Sequence, residues 1–172
     1  MNFLEELASE WYEYKGYFVR RNIKFGRRPR GGYKGEMDIV AYNPRKEFFH
    51  IETSTDAFSW GKRKTNFRRK FKDAAPFYDK LFPFEKEKVY RLAIVGFSQP
   101  NFEPDFGMNI KVVFVPVFVY KITKELKDKN PMQEAVPESH PLLRAVQYSA
   151  YYTAKIDDSE KKVIEKLKKL GK

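Results

Sequence analysis

The sequence predicts an α/β fold: one domain over residues 1–172 in which a mixed central sheet, an αβββαβ core, is flanked by helices. Three observations predict it. Helical-period apolar stripes at both ends of the chain enclose several shorter apolar runs that read as strands. A long helix-patterned stretch separates a group of three strand-like runs from a group of two. No internal repeat or linker interrupts the 172 residues, enough chain for one sizeable core.

Taken in order, residues 2–15 read as a helix, with Leu4, Leu7, Ala8, Trp11 and Tyr12 on one stripe and Gly16 ending it. "YFVRRNIKF" (17–25) reads as a strand, and "GRRPRGG" (26–32) as a basic turn or loop. "GEMDIVAYN" (35–43) and "EFFHIETST" (47–55) read as two strands of a hairpin, with the turn at Asn43-Pro44-Arg45-Lys46. That turn sets Tyr42 opposite Glu47. Residues 59–82 read as a helix that Pro76 kinks or interrupts, its inner face built from Phe67, Phe71, Ala74, Ala75 and Tyr78. "VYRLAIVGF" (89–97) and "IKVVFVPVFVY" (110–120) read as strands buried on both faces, with a bulge or an ending at Pro116 and a loop over 99–109 between them. Residues 121–129 read as a charged helix, and 130–141 as a Pro-containing connection. The segment 142–172 supplies C-terminal helices that pack on the core through Leu142, Leu143, Val146 and Ala150.

Composition narrows the function. The chain has no cysteine, which excludes disulfides, thiolate metal sites and cysteine nucleophiles and is compatible with a reducing, cytoplasmic location. The amphipathic, acidic start does not read as a signal peptide, and no apolar run is long enough to span a bilayer. His50 and His140 lack metal-ligand spacing; His50 reads as a half-buried, satisfied side chain rather than a general base. The net charge of +11 favours a polyanionic partner, most simply DNA, with RNA left open. That charge is uneven: residues 15–34 hold eight Lys/Arg and no acid, and residues 59–72 hold seven and no acid. Between them, residues 35–58 hold five acids against Arg45 and Lys46. Arg27, Arg28, Arg30 and Lys34 in the first stretch, and Lys62, Arg63, Arg68 and Arg69 in the second, are the candidates for holding a phosphate backbone. Trp60 and Phe58 read as loop anchors before base-stacking groups. The tyrosines of "YSAYYTAK" read as helix packing or as the face of a homodimer.

The acidic island holds the chemistry. Asp38 sits inside one hairpin strand and Glu52 on the next, and the expected turn brings Asp38 opposite Ile51, one step from Glu52. A bulge or splay would close that step. Two desolvated carboxylates a few ångströms apart repel unless a cation offsets them. A divalent ion such as Mg²⁺, which prefers oxygen ligands and keeps several waters, suits two carboxylates and a backbone carbonyl. The bland alternative is a structural ion pair with buried arginines.

Together, "EELASEWYEYKGYFVRRN", "GEMDIVAYNP" and "FFHIETST" resemble the PD-(D/E)xK nuclease superfamily, whose members have the restriction-endonuclease-like fold, and most of all its small Holliday-junction-resolvase-like branch. The likeness covers residues 3–82 and lies in the order of elements: a helix Glu (Glu5) before Gly16-Tyr17, then Gly35-Glu36-Met37-Asp38, then Ile51-Glu52-Thr53-Ser54, then a basic helix. It implies metal-dependent hydrolysis of DNA phosphodiesters, with Asp38, Glu52 and the Thr53 carbonyl on Mg²⁺ or Mn²⁺. It further implies that Glu5 (Glu6 as the fallback) approaches the same site. Glu36 points either at the site or at a basic partner. Two positions depart from the family pattern. Met37 replaces the proline, and Ser54 replaces the lysine that activates water and stabilises charge. Either the charge comes from the following helix, through Lys64, Arg68 or Lys70, or the chain is a degenerate nuclease that binds nucleic acid, alone or as a basic subunit of a larger assembly.

Overall fold

The computed structural model describes residues 2–96, 104–156 and 158–170. The expected loop over 99–109 is therefore described only from residue 104, and the end of the strand expected over 89–97 lies outside the described residues, as do 157 and 171–172 of the tail. The chain falls into two compact units, Met1–Val119 and Tyr120–Lys172.

Unit 1 opens with α1 (Phe3–Tyr14), capped by the Asn2 side chain, which accepts from the Leu4 and Glu5 amides. Leu4, Leu7, Ala8 and Trp11 are its buried stripe. At its end the Gly16 amide donates to the Glu13 carbonyl and the Tyr17 amide to the Tyr12 carbonyl, with Gly16 at φ +83°. This Schellman closure needs a left-handed residue, and glycine adopts that conformation without strain.

Five strands form one sheet in the order β1 (Phe18–Arg27), β2 (Tyr33–Tyr42), β3 (Glu47–Ser54), β4 (Lys88–Val95) and β5 (Ile110–Phe114). The first two pairings are antiparallel and the last two parallel, so the sheet is mixed and the fold α/β. β1 runs to Arg27, which pairs with Tyr33, so the basic loop narrows to residues 28–32. The β2–β3 turn also differs from expectation. Tyr42 pairs with Phe48, not Glu47, because Lys46 takes φ +61° and the Asn43 amide bonds the Glu47 carbonyl. A three-residue loop with a left-handed third residue replaces the expected four-residue turn and shifts the register by one.

After β3 comes α2 (Trp60–Ala74), capped by Ser59. Pro76 interrupts the helix as a single 3₁₀ turn, Ala75–Phe77, before the short α3 (Tyr78–Leu81). Phe67, Phe71 and Ala74 bury one face of α2. Among the described residues the core includes two apolar clusters: Ile23, Phe25, Met37, Val40 and Phe48 gather with Tyr78 and Phe82, while Phe67 and Phe71 gather with Ala93, Val95, Phe106 and Ile110.

The strand expected over 110–120 is two elements. β5 ends at Phe114 and α4 (Val115–Leu126) begins at once. Pro116 lies in the first helical turn, where its missing N–H costs nothing. Phe118, Ile122 and Leu126 are the buried face at four-residue spacing. A continuous apolar run reads alike as buried strand or buried helix, which is why the pattern misled.

In unit 2, α5 (Pro141–Thr153) buries Leu143, Gln147 and Ala150, with Val146 only half-buried. Gln147 is the residue the apolar pattern could not supply. Its Oε1 accepts from the Val136 amide at 2.8 Å, and its Nε2 donates to the carbonyls of Lys129 (3.2 Å) and Glu134 (2.8 Å), tying the Pro-containing connection to the helix. α6 (Asp158–Leu170) follows.

Candidate active site

The β2–β3 ladder stops at Ile39 and Ile51. Beyond that pair β2 stays with β1 out to Tyr33, while β3 stays with β4 through Ser54. The sheet forks there, and Asp38 and Glu52 are the first residues past the fork, one on each prong. Continuing the observed register sets them directly opposite each other, with no bulge needed. The fork frees the Thr53 amide from β2, and it donates to Asp38 Oδ2 at 2.9 Å.

Lys70 of α2 bridges the prongs. Its Nζ lies 3.0 Å from Asp38 Oδ1 and 3.3 Å from Oδ2, and it also donates to Glu52 Oε2. The residue sits at the rim of the helix face defined by Phe67, Phe71 and Ala74, so its stem leaves the core and its ammonium reaches the fork. Glu52 is fully buried, and the Asp38 side chain is 13 % exposed. The Asp38 carboxyl is pushed up to about 6, first by loss of water and then by the Glu52 charge, with Lys70 and the Thr53 amide opposing. Burial also raises the Glu52 carboxyl against the pull of Lys70. Burial alone would lower the Lys70 ammonium, but the two carboxylates outweigh it and hold it above the ordinary lysine value.

His50 is fully buried on β3, two residues before Glu52 and on the same face. Its Nε2 lies 2.7 Å from Glu52 Oε1 and its Nδ1 2.7 Å from the Tyr78 hydroxyl. Burial, first of all, pulls its pKa down to about 3, so the ring is neutral. It is buried more deeply than the sequence suggested, and both nitrogens are bound within the protein, which removes it as a general base. The Tyr78 hydroxyl, pushed up to about 12 chiefly by burial, stays protonated.

Each carboxylate therefore commits one oxygen to a fixed donor: Asp38 Oδ2 to the Thr53 amide, Glu52 Oε1 to His50. The other oxygen of each meets at Lys70. Two converging hard oxygens, one from each carboxylate, with the Thr53 carbonyl next along β3, make a donor set that fits a divalent cation once the ammonium steps back. Among the described residues no group of three or more His, Asp or Glu side chains is arranged to hold a metal ion.

The remaining predicted residues divide. Glu5 accepts from Asn2 Nδ2 at 2.7 Å, and its carboxyl is raised by partial burial and then by the Asp38 charge, within electrostatic reach of the fork. Glu6 is instead paired with Arg21 at 2.6 Å, and Arg21 also pairs with Glu13. Glu36 is exposed and lies across from Lys24 on β1. Ser54 is half-buried; its hydroxyl donates to the Asp56 carboxylate and accepts from the Asp56 amide at 3.2 Å. Asp56 accepts from the Phe58 amide at 3.0 Å and is met by Arg63 at 3.4 Å, so these donors outweigh its partial burial and hold its carboxyl below the usual range. Neither Lys64 nor Arg68 makes a hydrogen bond or ion pair with the carboxylates.

Among the basic candidates, Arg27, Arg28, Arg30, Lys34, Lys62, Arg68 and Arg69 are exposed. Lys34 pairs with Asp73 at 3.3 Å, and Lys62 lies 3.5 Å over the Phe58 ring. Arg63 corrects the sequence reading. It is 4 % exposed, donates to the Asp56 carbonyl and stacks on Trp60, so it braces the loop after β3 and offers nothing to a phosphate chain. Trp60 packs near Phe106 and Phe114 as an anchor, whereas Phe58 is exposed.

Sequence reasoning placed Tyr78 on an inner helix face but missed its bond to His50. Its signal was a tyrosine among phenylalanines on a buried stripe, since a buried hydroxyl needs a partner.

No helix among the described residues is long and apolar enough to cross a membrane. No family model and no curated protein matches the chain. One solved structure is similar, a crystal structure titled as the protein of unknown function AF1548; the match is 13% identical, covers 86% of this chain and 95% of that one, and has a TM-score of 0.46. At that level the likeness bears on neither fold nor function.

Proposed function

We propose that this chain is a metal-dependent nuclease-like protein of the PD-(D/E)xK type, acting on DNA phosphodiesters by hydrolysis with Mg²⁺ or Mn²⁺. One observation carries the reading: Asp38 and Glu52 converge at the fork of the sheet, each with one oxygen held by a fixed donor and the other turned to the ammonium of Lys70 from α2. A bound divalent ion supplies an activated water and offsets charge on the phosphate. The chain's own groups do the rest. Asp38 and Glu52 hold the ion, and Lys70 turns its ammonium toward the phosphate oxygens in place of the lysine that Ser54 lacks. Glu5 approaches the same site, and the exposed bases of the 28–32 loop and of α2 hold the flanking backbone.

A second reading rests on the same ammonium. Lys70 pairs with both carboxylates at once, as a binding module that has abandoned catalysis would require. Incubating the full chain with plasmid and branched DNA in Mg²⁺ or Mn²⁺ separates the two. The nuclease reading expects cleavage that Asp38→Ala abolishes and Lys70→Met lowers about a hundredfold or more. DNA left intact by the wild type with every metal, yet bound in a salt-sensitive way, supports the binding module instead. If activity appears only in Ser54→Lys, the chain is a degenerate nuclease.

A further inference from the structure

His50 and Tyr78 spend buried polar groups where an apolar pair would pack as well. His50 is fully buried, Tyr78 is 6 % exposed, and neither belongs to the donor set that would meet an ion. The Phe71 ring packs against the imidazole at 4.6 Å and fixes its plane. The bond directions follow from the donor inventory. An ionised carboxylate only accepts, so the ring's hydrogen stands on Nε2, aimed at Glu52 Oε1 at 2.7 Å. Nδ1 is then the acceptor and takes the Tyr78 hydroxyl proton at 2.7 Å. The chain of donors runs one way, from Tyr78 on α3 through His50 on β3 to the carboxylate. Glu52 has several rotatable bonds, and His50 Nε2 holds that oxygen.

We infer that His50, oriented by Tyr78, is a positioning residue that locks the Glu52 carboxylate by one oxygen so that the other faces the fork for a divalent cation. This rests on the reading of Asp38 and Glu52 as a cation site. Partners of this kind, placed behind a ligand, commonly change metal affinity by about tenfold to a hundredfold when removed.

The test titrates the full-length folded chain with Mn²⁺ alone, following free Mn²⁺ by electron paramagnetic resonance, alongside thermal melts of each variant. Wild type is compared with Tyr78→Phe, His50→Leu and His50→Gln; Gln keeps an N–H where Nε2 stands. Weakening of Mn²⁺ binding by roughly tenfold or more in Tyr78→Phe and His50→Leu, with His50→Gln near wild type, is the expected result. Lower melting temperatures with Mn²⁺ affinity unchanged in every variant would mean that the pair only packs, and the inference fails while the cation site stands. Should His50→Leu not fold, Tyr78→Phe, which loses a single hydroxyl, decides alone. A wild type that binds no Mn²⁺ overturns the cation site and this inference together.

Discussion

Asp38 and Glu52 carry two negative charges into a part of unit 1 that water barely reaches, and Lys70 is what makes the arrangement tolerable. Without it, two buried carboxylates lose their counter-charge. We expect Lys70→Met to cost about 3 kcal/mol in urea unfolding at pH 8 without metal, the low end of the range for stripping one partner from a buried pair, because Lys70 keeps partial solvent contact. The loss should shrink at pH 5, where the carboxylates take up protons. No difference between Lys70→Met and wild type at pH 8 contradicts this. Asp38 gives a pH signature of its own. Its folded pKa, about 6, lies above the ordinary 3.8, so the folded state holds the proton more tightly than the unfolded one. This group's contribution to stability is therefore greatest below about pH 4 and falls as pH rises through 6, by about 3 kcal/mol in total. Asp38→Asn, measured in chelator, should match wild type near pH 4 and gain on it by about that amount at pH 7. A difference that stays flat with pH would remove the desolvated, repelled carboxylate from the account. The meeting of Asp38 and Glu52 was legible in the sequence to within one residue of register. Nothing in the sequence singled Lys70 out from Lys64 and Arg68, because the rim of a helix is set by packing of Phe67 and Phe71, not by charge pattern.

At the scale of elements, the fork depends on β2 leaving β3 while staying with β1. Gly35 makes this fit. A Cβ there would lie 2.6 Å from the Phe25 ring, itself buried and packed near Phe77 at 5.2 Å. Gly35→Ala should cost about 1–3 kcal/mol, the usual penalty for overpacking a filled core, read as a lower urea midpoint with an unchanged slope. An unaltered midpoint would show the ring free to move. Helices α1 and α2, the first three strands and β4 could be read from period and punctuation. The junction of β5 with α4 could not, since "VVFVPVFVY" is apolar throughout and Pro116 suits a strand ending and a helix start equally. The β2–β3 register was missed for a different reason. It turns on Lys46 adopting a left-handed conformation that its residue type does not announce.

Across the whole molecule, charge is the feature that sequence and structure express most alike. Of the +11 net charge, a visible share stands exposed on the 28–32 loop with its flanks and on α2, on residues adjacent in the chain to the fork's two prongs. Replacing Arg27, Arg28 and Arg30 with Gln should lower the slope of log affinity against log salt by about 2–3 for duplex DNA, uniformly across sequences. Fluorescence anisotropy over a salt series reads this directly, and an unchanged slope would exclude these three from phosphate contact. Arg63 shows where composition alone fails, because a guanidinium counted toward that surface is buried under its own loop. The central claim is that the carboxylate pair at the fork is a divalent-cation site. A crystal soaked in Mn²⁺ and measured for anomalous scattering tests it most directly. The account predicts a peak within about 2.0–2.6 Å of Asp38 Oδ1 and Glu52 Oε2, the span of hard-cation–oxygen bonds, with the Lys70 ammonium displaced from between them. Saturating Mn²⁺ that leaves no peak at the fork, and Lys70 still bridging both carboxylates, would contradict it.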